Sequence, residues 1–183
     1  MHADNLARKA KLLKASDHFI NHTELAPLIE KQSIFLVLAG KKPASQATSS
    51  KWVKADHTAH AEPDDPRQLR ELLDSLDLAY RLSADDYATN VLVSLESGKI
   101  DDYIAAGEAD DMAAIGRLFG YPQTAIEAFV RDDCMEPNVQ DELMEAAGIS
   151  AVIPSFRFSK THAQQELAVL KDWYQTLRQH GLS

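Results

Sequence analysis

Five polar residues near the C-terminal end carry the most legible chemistry: Arg157, Ser159, Lys160, Thr161 and His162. They fall where the last helix of the chain is expected to begin. A helix start presents backbone N–H groups without intrahelical partners, and anions bind there readily. Ser159 would cap the turn, Arg157 would grip two anion oxygens with its planar fork, and Lys160 would add a point charge. Thr161 adds a hydroxyl, and His162 adds a donor once protonated, so anion binding should tighten below about pH 6.5. The competing reading of the same residues is ordinary helix capping with two solvated cations. No catalytic residue can be named from this pattern.

Other groupings are poorer. His18 and His22 lie four apart with Glu24 close by, a spacing that can put two imidazoles on one metal, but no third ligand stands out. The run Asp56-His57-Thr58-Ala59-His60-Ala61-Glu62 has metal-ligand residue types without an expected rigid frame to orient them. No metal and no cofactor is therefore expected. Cys134 is the only cysteine, which excludes an internal disulfide, and Asp132, Asp133 and Glu136 around it disfavour the reactive thiolate. The pairs Asp101-Asp102 and Asp110-Asp111 read as solvated helix starts, where the helix dipole favours acids. There is no Gly-rich phosphate loop, nucleophile elbow or HExxH motif.

The elements that would position any site centre on Glu108–Asp133, two expected helices joined at the corner Gly120-Tyr121-Pro122. Gly120 can take the left-handed conformation that ends a helix, Tyr121 is held extended by the following proline, and Pro122 suits a helix start. Met112, Ile115, Leu118 and Phe119 form an apolar stripe before the corner, and Ile126, Phe129 and Val130 form one after it. Gly116, Gly120 and Ile126 also fall where a DNA-binding helix-turn-helix often places a small residue, a glycine and a branched one, so residues 110–131 could be such a motif. Its phosphate and base contacts would fall to Arg117, Gln123 and Arg131. Against that stand Glu127, Asp132 and Asp133 on the helix that would enter the groove, so the electrostatics speak against nucleic acid. The plainest reading is a structural corner between two core helices.

Leu118-Phe119-Gly120-Tyr121-Pro122 resembles the LGYP turn of an uncharacterised, mainly archaeal and bacterial family. The stretch Ser155–Ser159, leading into a Trp- and Tyr-bearing helix, is similar in placement to that family's last helix. The resemblance spans roughly residues 75–180 and bears on fold rather than activity. That family's turn is usually followed by paired cysteines; here Gln123-Thr124-Ala125 stand instead and no cysteine lies near Ser159, so no metal or redox role carries over.

The net charge of −9 is unevenly spread: residues 1–60 carry nine Lys/Arg and five Asp/Glu, whereas residues 61–183 carry ten and twenty-three. An acidic body again argues against generic nucleic-acid binding. No apolar run approaches the roughly 20 residues of a membrane span, and no apolar h-region follows the early cations, so a cytoplasmic protein without membrane attachment is expected.

Periodicity then divides the chain into an N-terminal helical hairpin over 1–40, a linker or long loop over 41–66 and a main α+β domain over 67–183. The hairpin's second helix covers Thr23–Ala39, although Ile34–Leu38 also reads as a buried strand. In the main domain a helix opening at Asp65-Pro66 runs through Leu69, Leu72, Leu73 and Leu76 to Tyr80. A strand is expected near 90–95 and short helices over 100–106 and 138–147. An extended stretch over 149–158 follows, then a final helix with Leu167, Leu170, Trp173, Tyr174 and Leu177. The expected class is a predominantly helical α+β fold with a small sheet, with all-α as the alternative. The expected role is a binding or interaction protein taking a protein partner or a small anionic ligand. The alternatives are an enzyme acting on an anionic small molecule at Arg157–His162, or a helix-turn-helix regulator.

Overall fold

The computed structural model describes residues 28–55, 58–63, 66–84, 89–149, 153 and 155–182. These form a predominantly helical α+β fold with a small antiparallel sheet. The first helix of the expected N-terminal hairpin lies outside the described residues, as do His18, His22 and Glu24.

Helix α1 (Leu28–Leu38) is the centre of the core. Every side chain from Lys31 to Leu38 is buried, because β-strands lie on one side of it and the last helix on the other. That burial on all sides explains why Ile34–Leu38 reads equally as a strand: a helix without a solvent face shows no 3.6-residue alternation. Gly40, at φ +68°, closes it, with Lys41 N–H donating back to Leu36 O at 2.9 Å. Burial lowers the Lys31 ammonium below the usual lysine range.

Residues 41–66, expected as a linker or long loop, instead contain two strands, β1 (Ala44–Ala55) and β2 (Thr58–Pro63). With β3 (Ala79–Ala84) and β4 (Thr89–Ser94) they make a sheet of order β2-β1-β4-β3. The long β1 is shared end to end. Ala44–Ser49 pair with β4, from Ala44 opposite Ser94 to Ser49 opposite Thr89, and Ser50–Ala55 pair with β2. The buried apolar residues among its described side chains are Ala44 and Ala47, too small to register as an apolar period, and the first half takes its hydrogen bonds from β4, far away in sequence. Composition alone therefore reads as loop. Of the candidate cluster Asp56–Glu62, Thr58–Glu62 fall on β2, while Asp56, His57 and all of its side chains lie outside the described residues.

Helix α2 (Pro66–Ser75) buries Leu69, Leu72 and Leu73 as expected, with Leu76 buried just past its end. It stops before Tyr80, however. Asp77 takes φ +56°, Leu78 N–H returns to Leu73 O at 3.2 Å, and Tyr80 lies in β3. Tyr80 still touches the helix, donating its hydroxyl to Asp74 Oδ1 at 3.0 Å. A left-handed aspartate does here what glycine usually does at a helix end, which hid the stop. The strand expected near 90–95 is β4, with Val91, Leu92 and Val93 buried.

Four helices follow: α3 (Ser97–Glu108), α4 (Met112–Leu118), α5 (Gln123–Val130) and α6 (Pro137–Ala146). The stretch expected to be extended before the last helix forms no ladder in its described part. Gln140, buried on α6, takes the place of a neighbouring strand. Its Nε2 donates to Phe156 O and its Oε1 accepts from Phe158 N–H, both at 2.9 Å. Cys134 and Ser159 add a single antiparallel bridge. The last helix, α7 (Ala163–Arg178), buries Leu167, Leu170, Trp173 and Leu177 on one face. Among the described residues no helix is long and apolar enough to cross a membrane.

Candidate functional site

The corner has the geometry that its residue types require. Gly120 sits at φ +73°, with its N–H on Arg117 O and Tyr121 N–H on Gly116 O, both 3.0 Å. Pro122 stands at the N-cap of α5. Asp111 caps α4, accepting from Ala114 N–H at 2.8 Å. The two helices meet at Gly116, where a Cβ would lie 2.9 Å from Ile126 Cγ1. Glycine is needed there for closeness rather than for its dihedral freedom.

Behind the corner runs a chain of rings. Tyr103 of α3 stacks on Phe119 at 5.6 Å, Phe119 meets Tyr121 edge-on at 5.8 Å, and Tyr121 lies 5.3 Å from Phe156. Phe156 in turn meets Trp173 at 5.8 Å. Lys42 projects among them, its Nζ 5.2 to 5.7 Å from the ring centres of Trp173, Phe119 and Tyr121 and 3.3 Å from Ser45 Oγ. Ring faces carry negative potential, so this buried ammonium ties the chain between α1 and β1 to the corner.

In front of the rings α4, α5 and the segment Ser155–Arg157 enclose a cavity of about 340 Å³. Ile115, Phe119, Tyr121, Ile126 and Phe156 form its walls, and Met112 and Phe129 stand half exposed at the mouth. Polar character is sparse. Gln140 is spent on the backbone of Phe156 and Phe158. Burial pushes the Tyr121 phenol up, and Arg157 is the charged residue of the lining.

The five residues expected to converge on an anion divide into two sets. Arg157 Nη2 donates to Met135 O at 2.6 Å, and Lys160 Nζ pairs with Asp133 at 3.2 Å, so both cations reach the Asp133–Met135 segment. Ser159, Thr161 and His162 form the turn ahead of α7. Ser159 Oγ accepts from His162 N–H at 2.9 Å, and Thr161 Oγ1 lies 2.9 Å from His162 Nδ1. Helix α7 starts at Ala163, with His162 rather than Ser159 at the N-cap position. A carboxylate is already present in this turn. Glu166, fully buried, accepts from Ser159 N–H at 2.7 Å and from Thr124 Oγ1 at 2.6 Å.

Glu166, Lys42, Gln140 and Phe156 organise this region, and sequence reasoning singled out none of the first three. A glutamate in a first helical turn reads as a dipole-matched surface acid, and a lysine before proline reads as a loop cation. Cys134 lies beside them. Burial raises its thiol above the ordinary range; Arg157 opposes that, while Glu166, Asp132 and Asp133 reinforce it. Cys134 is accordingly expected to react with a disulfide reagent several-fold more slowly than glutathione at neutral pH. Its rate should keep rising with pH where an ordinary thiol has levelled off, and an early plateau would contradict this.

Among the described residues no group of three His, Cys, Asp or Glu side chains is placed to hold a metal ion. Comparison with protein-family models, curated proteins and solved structures finds no match to this chain.

Proposed function

We propose that this protein is a binding protein and that its site is the apolar cavity at the α4–α5 corner. The observation that carries the reading is a pre-formed cavity of about 340 Å³, walled by aromatic and branched side chains, with half-exposed Met112 and Phe129 at its mouth. Small-molecule and anchor pockets have this size, roughly 300–1,000 Å³, and this mostly apolar lining. Exposed bulky apolar residues concentrate here too: Met112, Phe129 and Val130 lie on adjoining faces of the corner.

The DNA-binding alternative has two helices joined at a tight turn but the wrong surface. Helix α5 exposes Glu127, Phe129 and Val130, and Arg131 is held by Glu127 at 3.0 Å. Such a face would bring carboxylates and apolar groups, not cations, to a phosphate backbone.

The test is titration with 1-anilinonaphthalene-8-sulfonate, whose rings suit the cavity and whose sulfonate suits Arg157. Saturable binding at one site per chain is expected, with amide NMR shifts centred on Ile115, Phe119 and Ile126. Phe129→Ala combined with Met112→Ala should weaken it about tenfold, equivalent to roughly 1.4 kcal/mol. Val139→Ala, which removes an exposed apolar residue outside the cavity lining, should leave it unchanged. Non-saturable binding, or equal affinity in all three proteins, would remove the cavity as the site.

A further inference from the structure

The cavity does not end at its mouth. A shallower depression of about 380 Å³, lined by Asp110, Asp111, Ala113 and Val130, continues from it, and Met112 and Phe129 belong to both. Its two parts differ in charge: Arg157 lines the cavity, Asp110 and Asp111 line the depression beside Val130, and the apolar Met112 and Phe129 line both. Exposures of 45%, 51% and 61% for Met112, Phe129 and Val130 leave three bulky apolar side chains open to solvent.

The charges of the two parts differ in how they are engaged. Asp111 is committed to the cap of α4, and its second oxygen lies 4.0 Å from Arg117. Asp110, exposed and at φ +52°, makes no ion pair with any described residue. In the cavity lining Arg157 uses one N–H on Met135 O, and its remaining guanidinium donors belong to an exposed side chain. The surrounding stretch 108–145 holds ten Asp/Glu against two Arg, so the chain that forms the groove is acidic.

Resting on the binding reading above, we infer that the occupant of this groove is a peptide segment of a partner protein. It carries a bulky apolar side chain that enters the cavity and a lysine or arginine that lies over Asp110. A small ligand would fill the cavity and leave Val130 and Asp110 uncovered; a peptide covers both. Charge complementarity selects a basic segment, and it contributes more to association rate and partner choice than to affinity. The apolar anchor supplies most of the affinity, as buried bulky side chains do at interfaces.

Selection from a phage-displayed library of random linear peptides on the full chain tests this directly. Enriched sequences should pair a bulky apolar residue with Lys or Arg on one side of it. Synthesised and labelled, they should bind Phe129→Ala about tenfold more weakly. Asp110→Asn, which keeps a residue tolerant of the left-handed conformation, should weaken them about threefold at low salt, and added salt should erase that difference. Thermal melts of both variants should match the native protein, separating lost contact from lost folding. Enrichment without basic residues, or binding indifferent to Phe129→Ala, would overturn the inference. So would a concentration-dependent dimer abolished by Phe129→Ala, since the occupant would then be a second copy. Failure to enrich any peptide while the dye still binds would reject the peptide and leave the cavity reading standing.

Discussion

Glu166→Ala is expected to destabilise the protein by about 3 kcal/mol, the cost of stranding buried hydrogen-bond donors together with a small void. The carboxylate has no exposure, and it is the partner of Ser159 N–H and of the Thr124 hydroxyl, joining the turn before α7 to helix α5. For a chain of this size that corresponds to a fall of roughly 6–12 °C in Tm. Glu166→Gln should cost much less. Its amide oxygen can still accept from Ser159 N–H, and the Thr124 hydroxyl can rotate to accept from the new NH2 group. Cys134 supplies a second readout. Glu166 is one of the charges that push its thiol up, so both variants should speed its reaction with a disulfide reagent at neutral pH. Urea unfolding curves that superimpose for native and Glu166→Ala protein would show that the buried carboxylate does not hold these elements together.

Gly120→Ala should cost about 2–5 kcal/mol, from two separable causes. The left-handed backbone at φ +73° penalises any Cβ by about 1–2 kcal/mol. The added Cβ would also lie 3.1 Å from Lys41 O, 3.2 Å from Pro43 Cδ and 3.3 Å from Lys42 Cα, mostly backbone or ring atoms that cannot rotate away. Overpacking of this kind typically adds about 1–3 kcal/mol. Gly148 separates the two causes, because it has φ +71° but open space for 4 Å around the point where a Cβ would stand. Gly148→Ala should therefore show the backbone cost alone, and the difference between the two variants measures how tightly the corner packs on the Lys41–Pro43 segment. Equal destabilisation would remove that packing argument. Because the same segment carries Lys42 to the rings behind the cavity, Gly120→Ala should also weaken dye binding, whereas Gly148→Ala should not.

Short-range signals in the sequence were enough to locate most of the helical half. The leucine spacing after Pro66 marks α2, and the stripe from Leu167 to Leu177 marks α7. The order Gly120-Tyr121-Pro122 marks the corner, because glycine, a residue before proline and proline each restrict or widen their own dihedrals. The strand at Thr89–Ser94 shows in its β-branched residues for the same local reason. None of this needs a distant partner.

The sequence by itself determined where most of the helices lie, that two of them meet at a tight corner, and that the chain around that corner is acidic. Only the tertiary structure decided what those elements enclose. It converts Ala44–Ala55 and Thr58–Pro63 from apparent linker to sheet, because β1 takes its hydrogen bonds from β4 and β2, and its Ser/Thr/Ala-rich first half has no side-chain pattern that announces a partner. It brings Lys42 to Phe119, Tyr121 and Trp173, and Gln140 to the backbone of Phe156 and Phe158. It also buries Glu166 under the turn that the sequence marked for an outside anion. Hydrogen bonding and desolvation depend on which groups are within a few ångströms, and residues 131 positions apart, such as Lys41 and Asp172, share no local signal that they will meet.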